Sequence, residues 1–277
     1  MINRLTIIGL GLLGGSIGLA VKKHLSHCQV TGCAHRDGSL KAAKETGAIR
    51  DWTLDPAIAV READLVILCT PVSRIPQWIE RIAPHLKPGA IVTDVGSTKT
   101  AIVEAGERLI RSPAHFVGSH PMAGSEQKGV AVARADLFAD AACIVTHTTQ
   151  TDPIAADAVE AFWQTLGCRI VRHTPVDHDR LVALVSHLPH AVASALVAVQ
   201  ETASLDLHGR GFLDSTRIAA GDPELWRDIF IENRGNLVSS IDLLTRELFQ
   251  LSSLLKMNDA RAIQEWLAKH ALRRSKL

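Results

Sequence analysis

The stretch Thr6-Ile-Ile-Gly-Leu-Gly-Leu-Leu-Gly-Gly-Ser16 decides the fold: a short apolar run breaks into Gly9, Gly11 and Gly14, then turns helical. Leu5 to Ile8 reads as a buried strand, and Leu13, Ile17, Ala20 and Val21 give the apolar face of the helix that follows. Between such elements the three glycines form a dinucleotide-binding turn. Gly9 permits the sharp exit from the strand, Gly11 removes a Cβ from the path of a pyrophosphate, and Gly14 lets the helix pack close to the sheet. The helix then directs its positive end at the phosphates. Leu12, Leu13, Thr70 and Ser97 complete the candidate contacts to the cofactor.

Outward from this loop, strand-like runs at Gln29 to Cys33, Leu65 to Cys69, Ala90 to Val95, Cys143 to Thr146 and Arg169 to Arg172 alternate with helical patterns. Those helices are expected at Ser39 to Thr46, Ile75 to His85, Thr98 to Ile110 and Pro153 to Leu166. Alternation of this kind predicts an α/β fold, a doubly wound Rossmann-type nucleotide-binding domain over residues 1–174. Past Pro175 the strand signals stop, and an all-α helical domain is expected over 175–277. Its long helix, Asn233 to Met257, carries Leu237, Ile241, Leu244, Leu248, Leu251 and Leu255 at spacings of four and three. This seam is either a core stripe or a dimer interface.

Composition narrows the function classes. The chain has 277 residues with 47% hydrophobic content, and its 30 Lys and Arg balance 29 Asp and Glu. That balance leaves no basic footprint for nucleic acid. Five cysteines at 28, 33, 69, 143 and 168 form no C-x-x-C pair, which predicts a reducing, cytoplasmic setting. The segment Leu181 to Val199 is broken by Ser186, His187, Pro189 and His190 and reads as a buried helix rather than a membrane span. Arg4 and the apolar run after it are taken as the first strand, not a secretory leader.

Dinucleotide choice turns on the end of the second strand, where NAD sites place an acid about 20 residues past the glycines. Ala34 stands there, followed by His35 and Arg36, which suit a 2′-phosphate. NADP is therefore preferred over NAD. In the alternative, Asp37 serves as the ribose acid and Arg36 is a surface charge.

Polar segments follow the other strands: Cys69-Thr70-Pro71, Asp94 to Lys99, and Gly118-Ser119-His120-Pro121-Met122-Ala123-Gly124-Ser125-Glu126. Two more lie in the helical half, Ser186 to His190 and Asp214 to Ala219, the second continuing into Asp222 to Phe230. In order and spacing these blocks resemble the prephenate/arogenate dehydrogenase family of tyrosine biosynthesis. The resemblance covers most of the chain and implies a homodimer through the C-terminal helices; since the two domains use up the chain, no further domain is expected. It implies His120 as catalytic base, Ser97 on the same substrate hydroxyl and Arg217 on a substrate carboxylate. Ser186 and His190 are implied as substrate contacts, and Ser125 and Glu126 near the substrate's side chain. Leu213 departs from the Arg of many relatives, and Ala34 from the acid of NAD-preferring ones.

The chemistry agrees with those residue types. Prephenate and arogenate are cyclohexadienes whose C4 hydroxyl must lose a proton as hydride leaves C4, and an imidazole of pKa about 6.5 is matched to accept it. Loss of the ring carboxylate as CO₂ is then driven by aromatisation. Other readings remain for several residues. Ser97 is also a candidate N-cap for Thr98 to Ile110, and Lys99 is expected to be solvated or phosphate-facing. Arg217 can pair with Asp214. His187 is as much a structural histidine as a ligand, and with His190 it lacks a third group for a metal. Runner-up functions are dehydrogenases of the β-hydroxyacid or imine-reducing type, or a dinucleotide sensor without turnover.

Overall fold

A computed structural model describes residues 2–125 and 127–276. Glu126, expected beside the substrate, lies outside the described residues. The chain opens with β1 (Arg4–Ile8), α1 (Leu12–His24), β2 (Gln29–Cys33), α2 (Asp37–Glu45), β3 (Asp51–Thr53) and α3 (Pro56–Val60). It continues through β4 (Leu65–Leu68), α4 (Ile75–Ile82), β5 (Ile91–Asp94), α5 (Thr100–Leu109) and β6 (His115–Phe116). These strands form a parallel sheet in the order β3-β2-β1-β4-β5-β6. Ile8 pairs with both Cys33 and Leu68, so the loops after β1, β2 and β4 leave the sheet at one edge.

Central strands such as Leu65-Val-Ile-Leu68 are buried along their whole length, as a sheet covered on both faces requires. One core lies under α1 and α2 around Ile7, Ile17, Leu40 and Trp163. The other lies under α3, α4 and α5 around Leu68, Trp78, Ile79 and Ile102.

A smaller sheet follows, built from β7 (Ser119–Pro121), β8 (Ala142–Thr146) and, beyond α6 (Pro153–Thr165), β9 (Arg169–His173). Its order is β7-β8-β9, with β7 antiparallel to β8. The short strands β3, β6 and β7 carry no apolar alternation of useful length, and tertiary pairing alone makes them extended. Elsewhere the sequence marks the helix starts. Asp152, Thr174 and Asp222 each cap with the side chain, and proline takes the first turn after each.

The helical half comprises α7 (Pro175–Val182), a π turn (Ala183–His187), α8 (Leu188–Ala198), α9 (Thr202–Leu205), α10 (Arg210–Thr216) and a 3-10 turn (Arg217–Ala220). After these come α11 (Pro223–Glu232), α12 (Arg234–Lys256) and α13 (Ala260–Arg274). The helical run interrupted at Pro189 in the sequence is divided there in the structure as well. Pro189 lacks an N–H and cannot complete the ladder, and the π turn just before it takes up the mismatch.

In this half one expectation about burial fails and one of the two readings of the α12 seam falls away. By length and composition Pro175–Ala198 is apolar enough to cross a membrane, yet only 28% of its apolar window is buried. Leu184, Val185, Leu196 and Val197 face outward. The run is therefore not a buried helix within one chain. The α12 seam is likewise no core stripe: Leu237 is buried, whereas Ile241, Leu248 and Leu255 are 40%, 56% and 59% exposed.

Candidate active site

The glycine loop has the shape its spacing predicts. Gly9 adopts φ +100°, and a Cβ at Gly14 would stand 2.0 Å from the Gly9 carbonyl oxygen. Any larger residue at position 14 would therefore push α1 off the turn. Gly11 is the N-cap of α1, and the space where its Cβ would sit is open. At the end of β4, Thr70 Oγ1 is buried without a hydrogen-bond partner among the described residues. An uncrowded helix N-terminus beside an unsatisfied hydroxyl fits the pyrophosphate and ribose groups of a dinucleotide. Past β2, Ala34 is half-buried, while His35 and Arg36 are exposed, and the His35 ring lies 4.7 Å from that of Trp78. Asp37 begins α2 and pairs with Lys41, leaving its Oδ1 buried and unpartnered.

The loop after β5 is locked to β7 by buried polar groups. The Asp94 carboxylate accepts from the backbone N–H of Gly96 and of Ser119 and pairs with the Lys99 ammonium. Lys99 also donates to the Ser119 carbonyl at 3.0 Å and is fully buried, contrary to the expected solvated charge. Burial raises the Asp94 carboxyl and lowers the Lys99 amine, each opposed by the other's charge. The donors around the carboxylate hold the ionised pair. Ser119 Oγ donates to the Asp94 carbonyl and accepts from Thr93 Oγ1 and Trp163 Nε1, joining the two sheets.

This lock fixes His120, the central residue of β7. The ring is buried, and its Nδ1 lies 2.9 Å from Nε2 of His178 on α7. His178 Nδ1 in turn lies 2.8 Å from Asp179 Oδ1. Asp179 Oδ1 also accepts from the Lys99 N–H, and Oδ2 from the Thr100 N–H and hydroxyl. Asp179 therefore caps α5 from the helical half. The candidate cap Ser97 is not used: the helix starts at Thr100 with Lys99 as N-cap. The Ser97 hydroxyl has no hydrogen-bond partner among the described residues.

Burial depresses His120 well below the usual histidine range, and charge on His178, Lys99 or His187 would lower it further. His178 is lowered by burial against the pull of Asp179. For Asp179, burial raises the carboxyl but its hydrogen bonds outweigh that, so it remains ionised.

Beside this chain lies a second pair of histidines. His187, in the π turn, is buried with Nδ1 3.1 Å from Asn233 Nδ2 and is pushed by burial to about 4. His190 on α8 stacks on Trp226 of α11 at 3.6 Å. Nε2 of His187 and Nδ1 of His190 are buried with no partner among the described residues. Ser186 is half-buried in the same π turn, and Ser125 is exposed past β7, where its Oγ accepts from the Gln127 N–H. Arg217 opens the 3-10 turn that packs on α8, and Gly221 behind it abuts His190 and Trp226. Sequence reasoning missed His178, Asp179, Asn233 and Trp226. The only local signal was an adjacent His-Asp pair in the first turns of a well-capped helix.

Comparison with known proteins agrees with this architecture. Residues 17–172 match the family described as prephenate dehydrogenase, nucleotide-binding domain, and residues 174–269 its dimerization domain. A prephenate dehydrogenase of Bacillus subtilis is 35% identical over 94% of this chain and 72% of its own length. A cyclohexadienyl dehydrogenase of Zymomonas mobilis is 32% identical over 97% of this chain and 92% of its own. Among solved structures, prephenate dehydrogenase from Aquifex aeolicus in complex with hydroxyphenyl propionate and NAD+ superposes with a TM-score of 0.93 at 30% identity. It covers 100% of this chain and 98% of its own. A parallel sheet bearing a glycine-loop nucleotide site, followed by a helical unit, and these matches along nearly the whole chain place the protein in the prephenate dehydrogenase family of oxidoreductases.

Proposed function

We propose that the chain oxidises prephenate, arogenate or both with loss of CO₂, and that NADP is its preferred acceptor. The observation that carries this reading is the placement of His120. It is a buried imidazole, kept neutral by its surroundings, at the junction of the nucleotide-binding half and the helical half. A neutral imidazole there can accept the proton of the C4 hydroxyl. The substrate's own carboxylates raise its proton affinity on binding. General-base help of this kind is worth about 10² to 10⁴ in rate.

A bound dinucleotide would supply the acceptor for the hydride lost from C4. Ser97 hydrogen-bonds the substrate hydroxyl with an Oγ that no other described residue engages. Arg217 supplies a planar fork for a substrate carboxylate, while Ser186, His190 and Ser125 orient the rest of the molecule. The backbone around Gly9, Gly11 and Gly14, with Leu12, Leu13 and Thr70, holds the dinucleotide. NADP is favoured by the missing acid at Ala34 and by exposed His35 and Arg36. The buried, unpartnered Oδ1 of Asp37 favours NAD instead. The names of the relatives support both substrates: prephenate in that of Bacillus subtilis and arogenate in a solved Synechocystis arogenate dehydrogenase, 31% identical with a TM-score of 0.85. The uncovered apolar face of α12, in a region matching a dimerization domain, supports a homodimer. Five unpaired cysteines suit a cytoplasmic setting.

Initial rates with both substrates crossed against NAD and NADP test the reading. Turnover of at least one substrate, fastest with NADP, is expected, and no turnover in any combination overturns it.

A further inference from the structure

We infer that His178 and Asp179 form a positioning dyad that fixes His120 as the Nδ1–H tautomer and leaves its Nε2 lone pair as the catalytic base. The inference rests on the reading of His120 as base, but the tautomer follows from hydrogen-bond logic alone. Asp179 accepts from the Lys99 N–H and from the N–H and hydroxyl of Thr100, which holds it as an acceptor-only carboxylate. Its fourth contact, His178 Nδ1 at 2.8 Å, must therefore donate. A neutral His178 protonated at Nδ1 carries a bare Nε2. That atom faces His120 Nδ1 at 2.9 Å, so His120 supplies the proton of this bond. Only Nε2 of His120 then remains to act as base.

In the reaction the substrate hydroxyl's O–H bond breaks and its proton forms an N–H bond at His120 Nε2. The C4–H bond's electron pair leaves as hydride to the dinucleotide. The resulting imidazolium keeps its Nδ1–H bond to His178, whose own Nδ1–H remains on the Asp179 carboxylate. No proton has to pass along the dyad, and its charge opposes the buried, cationic Lys99 nearby. Because Asp179 also caps α5, the same carboxylate ties the orientation of the base to the loop that carries Ser97.

The test has two parts. Imidazole ¹⁵N–¹H correlation spectra of the ¹⁵N-histidine-labelled full chain, without substrate, are expected to show His120 protonated at Nδ1. In Asp179→Asn the Asn amide can donate to His178 Nδ1, which reverses both bonds and moves the His120 proton to Nε2. The kcat of that variant is expected to fall about 10²-fold to 10⁴-fold with KM for substrate and dinucleotide within about threefold. The acidic limb of its kcat/KM profile is expected to move to lower pH, since a negative charge behind the base is lost. The other titratable groups facing the pair are Lys99, Asp94, His187 and Cys143, and the substitution leaves each of them in place.

A second comparison does not depend on the α5 cap. His178→Gln presents an amide oxygen to His120 Nδ1–H and is expected to keep kcat within about tenfold, whereas His178→Leu falls to the level of Asp179→Asn. A wild-type spectrum with His120 protonated at Nε2, or equal kcat in His178→Leu and wild type, overturns the dyad. Absence of wild-type turnover overturns the functional reading instead, and the spectra still decide the tautomer.

Discussion

Single side chains are where both selectivities of the proposed site can be tested. Ala34 carries no carboxylate for a dinucleotide ribose, so on the proposed reading Ala34→Asp is expected to add a charge-assisted hydrogen bond to a 2′-hydroxyl and repel a 2′-phosphate. A bond of that type is worth about 1.5 to 3 kcal/mol, or about tenfold and more in the NAD-to-NADP ratio of kcat/KM. An unchanged ratio would show that recognition lies elsewhere, with Asp37 the next candidate. Arg217 is exposed in the structure, and Arg217→Ala is expected to raise KM for prephenate and to cost about 1.5 to 3 kcal/mol in kcat/KM, the worth of a hydrogen bond to a charged group. Unaltered substrate kinetics would remove Arg217 from the site. Lys99 was the residue that sequence placed least well. A lysine in a helix's first turn is ordinarily solvated, and the Asp94 carboxylate and Ser119 carbonyl, brought beside it by the turn after β5 and by β7, explain its burial.

At the scale of elements, the glycine loop was fully legible because its constraints are local. Gly14→Ala is expected to displace α1 and cost at least about 1 to 3 kcal/mol of stability, since the new methyl would meet the Gly9 carbonyl. Loss of dinucleotide binding by calorimetry together with a lower Tm would confirm it, and an unchanged Tm would contradict it. The start of α5 was not legible. Its cap comes from Asp179, about 80 residues further along the chain, and no local rule finds such a partner. The break of the long helix was half legible: Pro189 announced an interruption, but its form as a π turn depends on packing against α7 and α12. That turn is what buries His187 while leaving Ser186 half-open.

Across the whole molecule, two features make stability depend on assembly and on pH. The apolar residues left exposed on α12 predict a dimer in sedimentation experiments, and Leu248→Glu is expected to shift it toward monomer. A wild-type monomer at micromolar concentration would dispose of that proposal. Buried histidines set the pH response. His187 has a folded pKa of about 4 against about 6.5 unfolded, so between those values the unfolded chain binds more protons. Stability should therefore fall as the pH drops from about 6.5 toward 4, with His120, His178 and His190 adding in the same direction. Urea midpoints across that range test this, and a flat profile contradicts it.

What the sequence determined by itself were the features written in neighbouring residues. The glycine turn, the alternation that builds a doubly wound sheet and the capped helix starts all fall in this class. Each follows from steric or hydrogen-bonding demands within a few positions of the chain. The surroundings of His120 belong to the tertiary structure alone. His178 and Asp179 reach it from a helix some 58 positions away, through contacts that arise only once the two halves pack and water is excluded. The hydrogen-bond partners met there, not the residue types along the chain, are what can choose the nitrogen that carries a proton.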